Sequence, residues 1–238
     1  MEFEPVLEDD ATAMKVILFG ATGMVGQGVL RECLLDRGIE AVLAIGRSST
    51  GRTDPKLREL IRKDLFDTEV PDADLRGYDA CFFCLGVSSA GMSEADYSRV
   101  TYDLTLAAAN AMASANPRMT FCYFSGVGTD SSEQGRVMWA RVKGRTENAL
   151  LRLFKSAYMF RPGYIQPLRG VRSSTPLYQG LYTVVAPLYP LLRRVIPKQL
   201  TTTVAVGRAL IQVAAVGYAK HIIDVEDINR LAAATPGG

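Results

Sequence analysis

The sequence is poor in the residues that build metal centres and disulfide frameworks. Histidine occurs once in 238 residues, at His221, and cysteine four times. A lone histidine cannot make a metal site by itself, and its place before Ile222-Ile223 puts it at a strand start. Cys33, Cys81, Cys84 and Cys122 fall inside predicted helices and strands. Cys81 and Cys84 have the spacing of a redox or metal pair, but residues three apart on a strand face opposite ways. They read as buried free thiols of a reducing, cytoplasmic compartment.

Excess charge is also missing. The chain has 27 Lys+Arg against 25 Asp+Glu, a net charge of +2, which gives no strong field for nucleic acid. No basic block carries interleaved aromatics, so nucleic acid is not an expected partner. The acidic first residues lack a signal-peptide pattern and read as a loose tail over 1–13. No apolar run reaches the roughly 20 uninterrupted residues of a bilayer-spanning helix. The nearest, 175–197, is interrupted by Pro176, Pro187 and Pro190 and closed by Pro197. It reads as a substrate-side cap, or as an interface helix of a homo-oligomer, rather than an integral membrane segment.

What the sequence does have is glycine at a decisive place. Lys15 to Phe19 is a short β-branched and aromatic run, which predicts a buried strand. Gly20, Gly23 and Gly26 follow. Met24 to Leu35 then carries apolar residues at helical spacing. Between a strand and a helix, such glycines have separate tasks. Gly20 makes the tight turn, Gly23 admits the backbone to a pyrophosphate, and Gly26 lets the helix lie close to the strand. The free amides and the dipole of the helix N-terminus favour the phosphates.

A second strand is predicted over Glu40–Ile45, ending in Gly46-Arg47-Ser48-Ser49. Arg47 lies about 20 residues past the glycines, where an acid binds the ribose 2′-hydroxyl of NAD and an arginine suits the 2′-phosphate of NADP. A guanidinium meets phosphate through forked, charge-assisted hydrogen bonds. Ser48 and Ser49 offer further hydroxyls. A third strand is expected over Leu60–Lys63, with Asp64-Leu65 after it; Asp64 is either an acceptor for the adenine amino group or a turn aspartate. Asp79 to Leu85 is a nearly all-apolar fourth strand, as a parallel strand covered on both faces should be. Gly86-Val87 follow it, where the backbone can approach the coenzyme ribose.

Ser93 to Asn116 reads as one helix opened by a capping-box-like Ser93-Glu-Ala-Asp96. Met119–Phe124, a helix from Ser131 to Phe154, and the strand Ala157–Phe160 complete the alternation. Thr201–Val216 is a helix, and Ile222-Ile223 leads to a closing helix. Strands alternating with helices predict βαβ units on a doubly wound parallel sheet of Rossmann type. The whole of 1–238 reads as one NAD(P)-binding domain, with 164–238 supplying a small, mainly helical substrate-side and closing region.

In these motifs the chain resembles the short-chain dehydrogenase/reductase superfamily, from about Met14 to Gly163. Gly20-Ala-Thr-Gly-Met-Val-Gly26 is similar to the glycine pattern of its extended and atypical members. Within the superfamily it looks most like the Tat-interacting-protein-like oxidoreductases and nucleoside-diphosphate-sugar epimerase-like proteins. The resemblance implies a coenzyme site made from Gly20, Thr22, Gly23, Met24, Val25, Gly26, Arg47, Ser48, Asp64, Leu65, Leu85, Gly86, Val87, Lys143, Pro162 and Gly163. It implies NADP as cofactor and a small-molecule substrate. Trp139-Ala-Arg-Val-Lys143 looks like the catalytic helix, with one departure. The family has tyrosine four residues before the lysine, and here that position is Trp139. An indole N–H donates a hydrogen bond but does not shuttle a proton near neutral pH. Ser125 is the hydroxyl nearest the family serine, although the register can also place Gly126 or Val127 there. Two readings follow. One is an NADP-dependent oxidoreductase or epimerase-like enzyme with another proton relay, such as Tyr97, Tyr102, Tyr164 or a water. The other is an NADP-binding sensor or interaction module without redox turnover.

Overall fold

The computed structural model describes residues 13–66, 72–171 and 199–234. Seven parallel strands form one sheet in the order β3-β2-β1-β4-β5-β6-β9. These are β1 (Met14–Phe19), β2 (Ile39–Gly46), β3 (Leu57–Ile61), β4 (Ala80–Phe83), β5 (Thr120–Phe124), β6 (Ala157–Phe160) and β9 (Ile222–Ile223). A separate parallel pair joins β7 (Tyr164–Gln166) to β8 (Leu200–Thr202). The strand order reverses direction between β1 and β4, and in open parallel sheets ligands bind in the crevice at that reversal.

The central strands are buried on both faces because both are covered. Val16, Leu18, Val42, Ala44 and Phe82 point into one core. It is shared with α1 (Met24–Leu35), α6 (Thr203–Val216) and α7 (Val225–Ala234). Ile17, Phe19, Leu43, Ile45 and Phe83 point into the other. There they meet Leu75 of the short α2 (Asp72–Leu75), α4 (Leu104–Ala115) and α5 (Met138–Leu153). Cys81 lies in the second core while Cys84 packs against the first, so strand alternation separates the two thiols. All four cysteines are free.

Four sequence expectations shift. The third strand runs over Leu57–Ile61 instead of Leu60–Lys63, because Leu57 pairs with Val42 and packs with the first core while Leu60 serves the second. As an edge strand it tolerates Arg58 and Glu59 between its apolar residues. The helix expected over Ser93–Asn116 is present with its Ser93 cap, whose hydroxyl accepts from Asp96 N at 3.1 Å. It comprises α3 (Glu94–Ser98), a π-helical turn at Arg99–Asp103, and α4. The helix expected from Ser131 begins only at Met138. Asp130 draws 130–135 into a turn instead, its carboxylate accepting from Ser132 N at 3.0 Å and Gly135 N at 2.6 Å. Finally, α6 starts at Thr203 because Thr202 caps it, accepting from Ala205 N at 3.0 Å.

The closing elements follow the expected order. Ile222-Ile223 pair with Met159-Phe160 at the sheet edge. His221 Nδ1 lies 2.8 Å from Ala157 O, and its ring stacks on Tyr158. The apolar stretch 175–197 and the tail over 1–12 lie outside the described residues. Among the described residues, no helix is long and apolar enough to cross a membrane.

Candidate functional site

The glycine turn sits where β1 meets β4. Gly20 has φ +78°, and a Cβ there would stand 2.8 Å from the backbone of Cys84. Gly26 is more constrained, since a Cβ would lie 2.0 Å from Gly20 O. No side chain fits there, so α1 rests directly on the turn. Gly23 differs. Its nearest atom to an added Cβ is Gly20 O at 3.4 Å, an ordinary contact. It is the N-cap of α1, no side chain caps the helix start, and the first turn carries no acidic residue. The helix therefore presents uncapped amides beside a residue with no side chain, an arrangement suited to an anion. Thr22 is exposed, and Met24 and Val25 are half-buried against the first core.

Arg47 and Ser48 follow β2 at its carboxyl end, exposed and without a side-chain partner among the described residues. Asp64 is also exposed, and its Oδ1 accepts from Phe66 N at 2.9 Å, so it forms a local turn. Leu65 and Leu85 pack against the second core. Beyond β4, Gly86 has open space where a Cβ would be, and Val87 is exposed.

Across the crevice, Lys143 extends from α5 to the end of β5. Its Nζ donates to Ser125 O at 2.6 Å and Phe124 O at 3.2 Å, and lies 5.9 Å from the centre of the Tyr123 ring. Burial pushes its ammonium down to about 8, opposed by the Glu147 carboxylate. Glu147 is fully buried and held by Arg161, which donates through Nε at 3.0 Å and also through Nη2. Arg161 Nη2 reaches Ser131 Oγ at 2.5 Å as well. Charged groups at this depth are stable only when paired. This pair is the feature sequence reasoning missed; its signal was a glutamate on the apolar face of α5, four residues after Lys143.

Ser125 turns its hydroxyl to Phe160 O at 3.2 Å. Trp139 is half-buried in the first turn of α5, on the same face as Lys143. A Cβ on Gly128 would sit 3.5 Å from its Cη2, so the indole lies on the loop between β5 and α5. Pro162 O accepts from Val127 N at 3.0 Å, which ties that loop to the end of β6. Gly163 approaches Gln199, whose carbonyl would be 2.5 Å from an added Cβ. Of the tyrosines considered as relays, Tyr97 is buried and its phenol pushed up by desolvation. Tyr102 lies under the Arg145 guanidinium at 4.1 Å, and Tyr164 donates to Gln166 Oε1 at 2.9 Å. Among the described residues no group of His, Cys, Asp or Glu side chains is placed to hold a metal ion.

No family model matches the sequence. Two curated fungal proteins do. The mitochondrial protein FMP52-1 of Scheffersomyces stipitis is 24% identical over 155 residues, which is 64% of this chain and 67% of that protein. The mitochondrial protein fmp52-2 of Aspergillus terreus is 25% identical over 167 residues, 69% of this chain and 72% of that protein. Among solved structures, UDP-glucose 4-epimerase of Thermotoga maritima superposes with a TM-score of 0.61 at 14% identity, over 92% of this chain and 81% of the enzyme. The Bordetella bronchiseptica enzyme WbmF, solved with NAD+, gives 0.61 at 16% identity, over 94% and 78%. A Saccharomyces cerevisiae short chain dehydrogenase/reductase gives 0.58 at 13% identity, over 94% of this chain and 100% of that one.

The chain shares the fold of these short-chain dehydrogenase/reductase and epimerase structures. In this chain the uncapped amides at Gly20–Gly26 suit an anionic group. The name of each fungal relative carries a mitochondrial location, which does not match a strictly cytoplasmic expectation.

Gly23 and Gly26 should separate folding from binding. Gly26→Val should unfold or strongly destabilise the chain, since overpacking costs about 1–3 kcal/mol even without a backbone clash. Gly23→Val should fold and lose dinucleotide binding. Thermal melts with dinucleotide titration check both, and a folded Gly23→Val protein of unchanged affinity would place the nucleotide elsewhere.

Lys143 should titrate near 8 in the protein without ligand, against an ordinary 10.5. The sign follows from the lowered value. Between about pH 8 and 10.5 the native state releases this proton while the unfolded chain keeps it, so this group's contribution to stability rises with pH. NMR of labelled lysines measures it, and a midpoint at the ordinary value would remove Lys143 as a perturbed group.

Proposed function

We propose that the chain is an NADP(H)-binding oxidoreductase or epimerase-like enzyme of one domain, acting on a carbonyl or hydroxyl of a small molecule or nucleotide-sugar-like substrate. The observation that carries this is the open, uncapped glycine turn at the β1/β4 switch point, with Lys143 at the carboxyl end of β5 two strands away. The coenzyme-binding residues are Gly20, Thr22, Gly23, Met24, Val25 and Gly26 at the pyrophosphate. Arg47 and Ser48 take the 2′-phosphate. Asp64, Leu65, Leu85, Gly86 and Val87 border the adenosine side. Lys143, Pro162 and Gly163 serve the nicotinamide side.

NADPH, when bound, supplies the hydride. The chain's own contribution is to bind, orient and handle the proton. Lys143 places a positive charge at the carboxyl end of β5, where a developing alkoxide would be stabilised. Trp139 supplies an N–H donor and a flat apolar wall, but it does not act as an acid or base near neutral pH. Ser125 is aimed at Phe160 O and must rotate to meet a substrate oxygen. The departure at Trp139 favours a second reading, an NADP-binding sensor or interaction module without redox turnover. NADPH oxidation against a panel of carbonyl compounds separates the two. Four buried or half-buried free thiols fit a reducing compartment. The cytoplasm meets that condition and so does the mitochondrial matrix; fractionation of the untagged protein decides.

NADPH should bind more tightly than NADH. Arg47→Asp should abolish or reverse the preference, since a lost charge-assisted contact is worth about 1.5–3 kcal/mol, or ten- to a hundredfold. Calorimetry with both coenzymes checks this, and equal wild-type affinities would sink it.

Wild-type ketone reduction should be slow or undetectable, and Trp139→Tyr should raise it by restoring a phenol beside Lys143. General acid catalysis is typically worth about 10²–10⁴-fold. Ordinary wild-type turnover that survives Lys143→Ala would overturn this assignment of the helix.

A further inference from the structure

The β2–β3 loop is held by a residue outside every motif considered so far. Glu59 lies on the edge strand β3, opposite Ala44 of β2. Leu57, two residues earlier, packs with the core on the α1 side, so alternation directs Glu59 to that same side of the sheet. Its carboxylate is used twice by the loop that leaves β2. Ser49 Oγ donates to Oε2 at 2.7 Å, and Thr50 N donates to Oε1 at 2.6 Å. Ser49 Oγ in turn accepts from Gly51 N at 3.1 Å. The hydrogen bonds from Ser49 and Thr50 hold the Glu59 carboxyl below the usual carboxylate range, so it is ionised at neutral pH.

A serine hydroxyl has one proton to donate. That of Ser49 is given to Glu59 in this structure, which leaves Ser48 as the uncommitted hydroxyl beside Arg47. The two residues just before Ser49, Arg47 and Ser48, remain exposed and unpartnered among the described residues. The loop is thus pinned immediately downstream of the residues assigned to the 2′-phosphate.

We infer that Glu59 is the positioning residue for coenzyme selection, fixing the Ser49-Thr50 backbone on β3 so that Arg47 and Ser48 meet the adenosine 2′-substituent. This rests on the reading that the chain selects NADP through Arg47. Glu59 touches no coenzyme atom itself. It acts by sparing the loop an ordering cost on binding, and that saving is realised only with a coenzyme that engages the loop.

The test is the ratio of NADH to NADPH dissociation constants, measured by calorimetry for wild type, Glu59→Ala, Glu59→Gln and Ser49→Ala, each checked by a thermal melt. The expected result is a wild-type preference for NADPH that falls about tenfold in Glu59→Ala, through loss of NADPH affinity with NADH affinity nearly unchanged. Glu59→Gln keeps one acceptor oxygen and puts an NH2 donor in place of the other, so it can accept only one of the two loop hydrogen bonds and should show a loss between wild type and Glu59→Ala. Ser49→Ala should fall in the same direction, and the double variant should lose less than the two single losses combined, because the residues act through one contact. A wild-type preference that persists in folded Glu59→Ala and Ser49→Ala overturns the inference and leaves the coenzyme reading standing. If Glu59→Ala fails to fold, Ser49→Ala alone decides. No wild-type preference removes the coenzyme reading, and the inference with it.

Discussion

Everything at the crevice depends on a contact that admits no side chain. With Gly26 at the third helical position, α1 comes so close to the Gly20 carbonyl that a Cβ would overlap it at 2.0 Å. That approach fixes the start of α1 against the end of β1, and Gly20, at positive φ, fixes both against β4. The uncapped amides then face outward from the switch point by geometry alone. Gly23 is the residue in this turn whose missing side chain the fold itself does not require. At that open helix start the dipole favours an anion.

The opposite wall is built on electrostatics rather than close approach. A lysine, a glutamate and an arginine lie within one patch of α5, β5 and β6. Glu147 meets Arg161 with both carboxylate oxygens, and its charge only partly opposes the burial that lowers Lys143 to about 8. Two backbone carbonyls at the end of β5 hold the amine in place. A buried ion pair of this kind contributes little net stability against an apolar replacement. Its use here is positional. It ties the end of β6 to the middle of α5, and through Ser131 to the loop on which Trp139 rests.

Legibility in the sequence followed the range of the interactions. The β1 strand, the glycine turn and α1 were readable to within a residue, because buried β-branched runs and glycine chemistry are local. So was β6, whose four residues are apolar and tightly bounded. The third strand was misplaced because an edge strand alternates charge with leucine, and Leu57 is recognisable only beside Val42. The start of α5 was misplaced because Asp130 competes for the amides of 132 and 135, a side-chain-to-backbone choice that propensity does not register. The Arg161–Glu147 pair spans 14 residues and two elements, and Glu59 acts across ten residues on its loop. Neither has a spacing rule. The glycine turn was therefore legible as a structure, while the side-chain networks around the crevice were not.

The same division explains the puzzle at Trp139. Lys143 and Trp139, four residues apart, lie on one face of α5. The aromatic ends in an indole where the resemblance implies a phenol. The Trp139 indole lies on Gly128 and packs the loop between β5 and α5, with its N–H as its one polar atom. Ser125 likewise spends its hydroxyl on Phe160 O. Neither side chain is posed to pass a proton: the indole does not ionise near neutral pH, and the Ser125 hydroxyl is directed at a backbone carbonyl. The glycine turn needs no such rearrangement to meet an anion, because its amides are already uncapped.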